Sequence, residues 1–215
     1  MQPSEWEPLY SEILADFGYS RLDDEASARL LAAVMVNADL IDEDTASGYF
    51  GREVTVFGPA HKGRITRGAF PGTLISAGDA TGALMEAGIC PDVIVTDLDG
   101  DVQKQKEASG MGALAFIHAH GDNADGIMEH AKGFTGPVVL TTQSVPSGPL
   151  VNYGGFTDGD RAVCIARHFG ASRIYLAGFD LTAPAAKEGS DPAVKAKKLR
   201  WAERIIGSGP DIVRI

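Results

Sequence analysis

Two aspartates set one residue apart, Asp97 and Asp99, follow the apolar run Val93-Ile94-Val95-Thr96 and lead into Gly100 and Asp101. A buried strand that ends in carboxylates two positions apart turns both to the same side. Mg²⁺ takes hard oxygen donors of this kind, usually with water and substrate phosphate completing its shell. Asp101 reads more simply as the cap of a following helix, and Asp99 also suits a turn. Asp97 and Asp99 are assigned to metal because further aspartates stand in similar turns.

The second cluster is His118-Ala119-His120-Gly121-Asp122-Asn123. Histidines two apart on a strand face one side and suit a transition metal. The spacing is similar to the HxHxDH of binuclear zinc hydrolases, but Asn123 stands where the last histidine belongs and no remote ligand set completes it. Asp122 is therefore taken as a metal-sphere residue and His120 as a hydrogen-bonding or phosphate-contacting group, with a structural role open to His118. The third cluster, Gly154-Gly155-Phe156-Thr157-Asp158-Gly159-Asp160-Arg161, opens a helix. Such an entry exposes backbone N–H groups at the positive helix end, which suits phosphate or nucleotide binding and makes Gly155, Phe156, Thr157, Asp158 and Arg161 candidates. Thr157 or Asp158 acting only as N-cap is the alternative. The segment is neither a GxxxxGK[ST] loop nor a complete GxGxxG. Among the cations of the last helix, Lys197 and Lys198 are the candidates to reach a triphosphate, the rest being a solvated face.

What positions these groups is a β-rich pattern that begins near residue 52. Strands are predicted over 54–57, 73–76, 93–96, 113–117, 138–141 and 173–177, with helices over 81–87, 102–109, 123–132, 160–169 and 194–206. Strands alternating with helices predict an α/β fold, a mainly parallel open sheet with flanking helices. Each strand is followed by Gly, Asp, His or Gln, and ligands of open α/β sheets bind beyond the carboxyl ends of the strands, so these turns should share one rim. Before the sheet comes a helical segment. Trp6, Leu9, Tyr10, Ile13, Leu14 and Phe17 recur at helical spacing behind a Ser4/Glu7 capping box, and a second helix from Asp23 or Asp24 carries Leu30, Leu31, Val34 and Met35. The division expected is 1–50 for this segment and 51–215 for a catalytic domain, and the apolar stripes offer a surface for a homodimer.

A net charge of -10 over 215 residues argues against nucleic acid or an anionic membrane as partner, because the long-range field repels polyanions. Cys90 and Cys164 lack metal spacing and read as reduced thiols. No signal-peptide pattern and no apolar run of spanning length occurs, so a cytoplasmic location is expected.

The segments 91–100, 118–123 and 154–162, with Lys197-Lys198-Leu199, make the chain from about residue 52 onward resemble the archaeal 6-hydroxymethyl-7,8-dihydropterin pyrophosphokinases, whose core is similar to that of thiamine pyrophosphokinase. The resemblance implies ATP and Mg²⁺, with an intact diphosphate passing to the hydroxymethyl group of a reduced pterin and AMP released, toward tetrahydromethanopterin or folate. By matching motifs it implies metal and phosphate roles for Asp97, Asp99 and Asp122. Asp79 is a fourth metal candidate, although Ala77-Gly78-Asp79-Ala80 differs by one position from the family's Ala-Asp-Gly-Ala turn. Either a carboxylate or His120 would ease deprotonation of the acceptor hydroxyl. The alternatives are a thiamine pyrophosphokinase, a haloacid-dehalogenase-type phosphatase with Asp97 as nucleophile, and a nucleotide-binding module without chemistry. Asn123, Gln143, Asn152 and Phe156 are the side chains suggested for reading the pterin ring.

Overall fold

The computed structural model describes residues 1–182, 191–207 and 209–215. Within them the β-branched and aliphatic runs form strands β1 (Glu53–Phe57), β2 (Thr73–Ala77), β3 (Val93–Thr96), β4 (Leu114–Ala119), β5 (Val138–Thr142), β6 (Leu150–Val151), β7 (Arg173–Ala177) and β8 (Ile212–Arg214). They make one sheet of order β6-β5-β4-β3-β2-β1-β7-β8, and every pairing is parallel. The chain steps outward from β1 to β6, then returns to lay β7 against the other side of β1. The point where the order reverses, between β1 and β7, is where an open α/β sheet leaves a crevice.

The helices are α1 (Pro3–Phe17), α2 (Arg21–Val34), α3 (Glu43–Ser47), α4 (Ala80–Glu86), α5 (Val102–Gly110), α6 (Ala124–His130), α7 (Asp158–His168) and α8 (Pro192–Ile206). Alternate residues of each strand face opposite layers. Val54, Val56, Ile75, Val93, Val95, Leu114 and Phe116 meet α7, α8 and Ala46 of α3. Ala115, Ile117, Val138 and Leu140 meet α2 and α6, while Leu74 and Ile94 meet α4 and α5 respectively. Both sheet faces are covered, which is why these strands read as continuous apolar runs.

The first 50 residues pack into the same cores. Trp6, Tyr10 and Ile13 of α1 lie against Phe156, Cys164, Trp201 and Ile205, while Ala28, Leu31 and Met35 from the α2 segment lie over β4 and β5. The apolar stripes offered for pairing with a second copy are thus covered within the chain. Among the described residues no helix is long and apolar enough to cross a membrane.

Several boundaries differ from expectation, each for a local reason. The capping box of α1 is Gln2 with Glu5, not Ser4 with Glu7, because Pro3 sits at the first helical position. Helix α2 starts at Arg21, since Ser20 accepts from the Asp23 N–H. Strand β4 runs on to Ala119, which places His118 inside the sheet rather than in the turn. Strands β6 and β8 and helix α3 were not anticipated; at two, three and five residues they carry too few positions to show a period.

Candidate active site

A cleft of about 660 Å³ opens along the carboxyl ends of six adjacent strands, from Gln143 after β5 to Gly178 after β7. Five inter-strand spacings make this rim about 24 Å long. His120 and Asp122 follow β4, Asp97 and Asp99 follow β3, Asp79 follows β2, and Pro59 follows β1. The expected convergence on one rim is what the fold produces.

The turn after β3 is held from several sides. Leu98, between the two aspartates, has φ +68°, the left-handed region that a branched side chain enters at a cost of about 1 kcal/mol or more. Its N–H donates to Thr96 Oγ1 at 2.9 Å, the Asn123 Nδ2 donates to the Asp97 carbonyl at 3.0 Å, and the Gln105 Nε2 donates to the Asp99 carbonyl at 2.9 Å. Because β3 ends at Thr96, this turn, and not the pleat of a strand, brings Asp97 and Asp99 to the cleft. Asp101 caps α5 by accepting from the Lys104 N–H, as the sequence suggested. Asp79 braces the same turn: its Oδ1 accepts from the Asp101 N–H at 3.0 Å, and a side chain at Gly100 would overlap it. That is a structural engagement for a carboxylate first taken as a metal ligand.

His120 lies between two carboxylates, its Nε2 3.4 Å from Asp97 Oδ2 and its Nδ1 2.5 Å from Asp122 Oδ1. Burial opposes its charge, but the two aspartates prevail and raise it to about 9, so at neutral pH it is an imidazolium. Burial likewise pushes the Asp97 carboxyl up, yet the bond to and charge of His120, with Arg161 and Lys198 beyond, bring it down to about 2. Asp122 is lowered by the same bond, although its side chain is 73% exposed and solvent screens much of the effect. Asp158 goes the other way. Burial and then the negative Asp97 raise it well above the carboxylate range, in spite of Arg161 Nη1 at 2.8 Å. One rim therefore presents ionised Asp97 and Asp122 and a cationic His120, with the raised carboxyl of Asp158 beside them.

Among the described residues no three His, Cys, Asp or Glu side chains converge as a finished metal cage. Mg²⁺ does not need one, since it is commonly held by one or two carboxylates plus substrate phosphates and water. The lining also fits: it holds more carboxylates than ammonium groups, so a polyphosphate entering it requires added cations.

Some expected contacts turn out to be structural. Asn123 spends both its N–H donors on the Asp97 and His118 carbonyls and accepts from the His120 N–H. Asn152 donates to the Gln143 and Ser144 carbonyls and accepts from the Gly154 N–H. Neither amide has a donor left for a ring, and neither lines the cleft. Arg161 is buried beneath the cleft, bonded to Asp158 and to the Phe156 carbonyl. Gly155 also lies outside the cleft: its φ is +98° and a Cβ there would overlap the Arg161 backbone. Lys197 is tied to Asp16 of α1, at 2.5 Å from its carbonyl and 2.9 Å from its Oδ1. Lys198 does face the cleft, its Nζ 5.7 Å from the centre of the Phe156 ring. Phe156, Thr157 and Asp158 line it as well, with Thr157 the N-cap of α7 and Asp160 completing its capping box. His118 is buried and neutral, its pKa pushed well down by burial and then by Arg161 and His120, with Nδ1 3.0 Å from Thr141 Oγ1. It takes the structural role left open for it.

The N-terminal helices supply what sequence reasoning missed. The corner from Gly18 to Asp24 lines the cleft beside the β4 turn. Asp24 is 2% exposed and accepts three hydrogen bonds: from Tyr10 OH at 2.6 Å, Gln143 Nε2 at 2.9 Å and the Gly121 N–H at 2.7 Å. A signal was present, because Asp24, Ala28 and Leu31 stand at helical spacing on one stripe, and an acid in phase with an apolar stripe has a buried partner to find.

Comparison with known proteins gives the family. A family model described as 6-hydroxymethylpterin diphosphokinase MptE-like matches residues 70–185. A Methanothermobacter thermautotrophicus protein named 6-hydroxymethyl-7,8-dihydropterin pyrophosphokinase is 40% identical, over 96% of this chain and 94% of its own length. Proteins of the same name from Pyrococcus furiosus and Methanocaldococcus jannaschii are 39% and 33% identical, over 96% and 100% of this chain and 93% and 98% of their own. The Asp97-Leu98-Asp99-Gly100 stretch lies inside the matched span, so it is a turn of this family and not a phosphatase motif. On the strength of a model that covers more than half its length and relatives that align nearly end to end, the chain belongs to the MptE-like family of 6-hydroxymethylpterin diphosphokinases.

Proposed function

We propose that the chain transfers the β,γ-diphosphate of ATP to the hydroxymethyl oxygen of 6-hydroxymethyl-7,8-dihydropterin, releasing AMP, in the cytoplasm and on the route to tetrahydromethanopterin or folate. The names of its relatives favour the pterin over thiamine as acceptor. The observation that carries the chemistry is the pairing of ionised Asp97 and Asp122 across a cationic His120 on a rim long enough for both substrates.

The acceptor oxygen forms a bond to the β-phosphorus, the bond from that phosphorus to the α-bridging oxygen breaks, and the hydroxyl proton leaves. Such a transfer depends on in-line placement and charge stabilisation more than on a strong base. Asp97, with Asp122 and Asp99 beside it, is the set to hold Mg²⁺, which when bound neutralises the phosphates. Lys198 adds a cation from the opposite wall. His120 was one candidate to take the hydroxyl proton, but both its nitrogens are engaged and an imidazolium has no lone pair to receive it. That step falls to a carboxylate of the rim. The positive charge of His120 instead serves the phosphate oxygens.

The test is mass-spectrometric product analysis of the protein with ATP, Mg²⁺ and either the dihydropterin or thiamine. AMP together with pterin diphosphate is the expected result. Thiamine diphosphate alone would move the chain to another acceptor, and absence of AMP with both would sink the assignment.

A further inference from the structure

The two ends of the cleft differ chemically. Toward β1 and β7 the lining includes Pro59, Phe179, Leu181 and Leu199. Toward β4 and β5 it is made by the corner between α1 and α2. Gly18, with φ +68°, ends α1 and releases Tyr19 into the cleft, where 38% of the residue remains exposed. The Tyr19 ring stacks on Phe17 at 5.2 Å and 20°, and Phe17 leans on Phe156 at 5.2 Å. Tyr19 shares the cleft wall with His120, Gly121 and Asp122 of the β4 turn, and its ring lies 6.5 Å from that of Phe156. Asp23 lies over that turn, its Cβ 3.0 Å from where a Cβ on residue 121 would be, an approach that Gly121 permits. Its carboxylate makes no hydrogen bond or ion pair among the described residues, and it lines the cleft. The neighbouring Asp24 fixes the corner to α1, β4 and β5 at once, so Tyr19 and Asp23 are held before any ligand arrives.

We propose that this corner is the subsite for the acceptor heterocycle, with Tyr19 against the ring face and the Asp23 carboxylate accepting from the 2-amino group and the N3–H of the pterin. The proposal rests on the function proposed above. A carboxylate matches two adjacent N–H donors in one plane, as it matches the edge of a guanidinium. The adenine of ATP has no such edge: its one amino group lies between ring nitrogens that are acceptors, and their lone pairs would face the carboxylate. The nucleoside therefore belongs at the β1–β7 end and its phosphates over β3, which brings the acceptor hydroxymethyl to them from the β4 side.

The experiment uses the full chain and two separate titrations without Mg²⁺ or turnover: one with fluorescent 6-hydroxymethylpterin, one with α,β-methylene-ATP. Asp23→Asn and Tyr19→Ala should each weaken pterin binding by about 10- to 100-fold, as expected for losing a charge-assisted hydrogen bond or an aromatic face. Tyr19→Phe should restore binding to within about threefold of wild type, since the ring face is kept. The nucleotide Kd should stay within about twofold in all three, which also reports that the fold survives. Unchanged pterin binding in Asp23→Asn and Tyr19→Ala, or a loss in the nucleotide titration instead, overturns the subsite while leaving the proposed reaction intact. A wild-type protein that neither binds the pterin nor forms its diphosphate overturns the reaction and the subsite together.

Discussion

Replacing Asp24 by Ala removes the acceptor of three donors at once: the Tyr10 hydroxyl, the Gln143 amide and the Gly121 N–H. A buried donor left without a partner costs about 1–3 kcal/mol, and bonds to a charged acceptor lie at the upper end of that range. The two buried losses, Tyr10 and Gln143, amount to roughly 2–6 kcal/mol, the Gly121 N–H being open to water, and relief of the cost of burying a carboxylate offsets part of this. A net destabilisation of about 2–3 kcal/mol is expected, with Tyr10→Phe alone costing about 1–2 kcal/mol. Since both changes remove the Tyr10–Asp24 bond, the double variant should fall short of their sum by about 1 kcal/mol. Trp6 and Trp201, the two tryptophans of the chain, both lie in the seam between α1 and the body of the protein. Urea unfolding followed by tryptophan fluorescence should therefore show the seam opening in Asp24→Ala at lower urea than the loss of far-ultraviolet circular dichroism. A cost below about 1 kcal/mol with the two signals still coincident would refute the view that Asp24 locks the N-terminal helices to the sheet.

His120 has a folded pKa of about 9 against about 6.5 unfolded, so its stabilisation is complete below about pH 6.5 and is lost as pH rises through 9. With chelator present, wild type should lose up to about 3 kcal/mol relative to His120→Gln between pH 6 and pH 10, measured by urea midpoints; parallel profiles would count against the charged bridge. Lys198→Met should raise the nucleotide KM by about tenfold while Lys197→Met leaves it within about twofold, because Lys197 is bound to Asp16; equal effects in steady-state kinetics contradict the placement. Gly155→Ala meets both an unfavourable φ and the Arg161 backbone, and should cost more than about 3 kcal/mol, seen as a Tm at least about 6 °C lower. Gly63→Ala, with open space around it despite φ +123°, should cost less than half of that.

The strands that place the site were legible because β1 to β5 and β7 are apolar runs followed by glycine, aspartate, histidine or glutamine, and ligands of open α/β sheets bind beyond the carboxyl ends that parallel strands share. Asp97, Asp122 and His120 were legible for the same reason. The state of His120 was not, since it depends on two carboxylates from different turns meeting one ring. Asp24 and Tyr19 were passed over because their consequences are non-local: Gly121 is 97 residues from Asp24, and Gln143 is 119 residues away. In the segment 154–161 the two uses of glycine meet: residues 156–160 line the cleft, whereas Gly155 is required by close passage of two backbones. Composition alone does not separate those two uses of glycine.

The clasp between the first and last helices also sets an order of assembly. Asp16 holds Lys197 and the Trp201 indole, and Glu12 holds Arg204 in a forked pair. Strand β1 gains its second neighbour only when β7 arrives, about 120 residues later. On a ribosome that extends the chain at about 5–20 residues per second, α1 emerges well ahead of α8, which follows only after β1 to β7 have been made. The apolar stripe of α1, with Trp6, Tyr10 and Ile13, gains its last cover, Trp201 and Ile205, only then. A nascent chain lacking α8 therefore has the strand-end carboxylates of the rim but not the wall that Lys198 and Leu199 give the cleft.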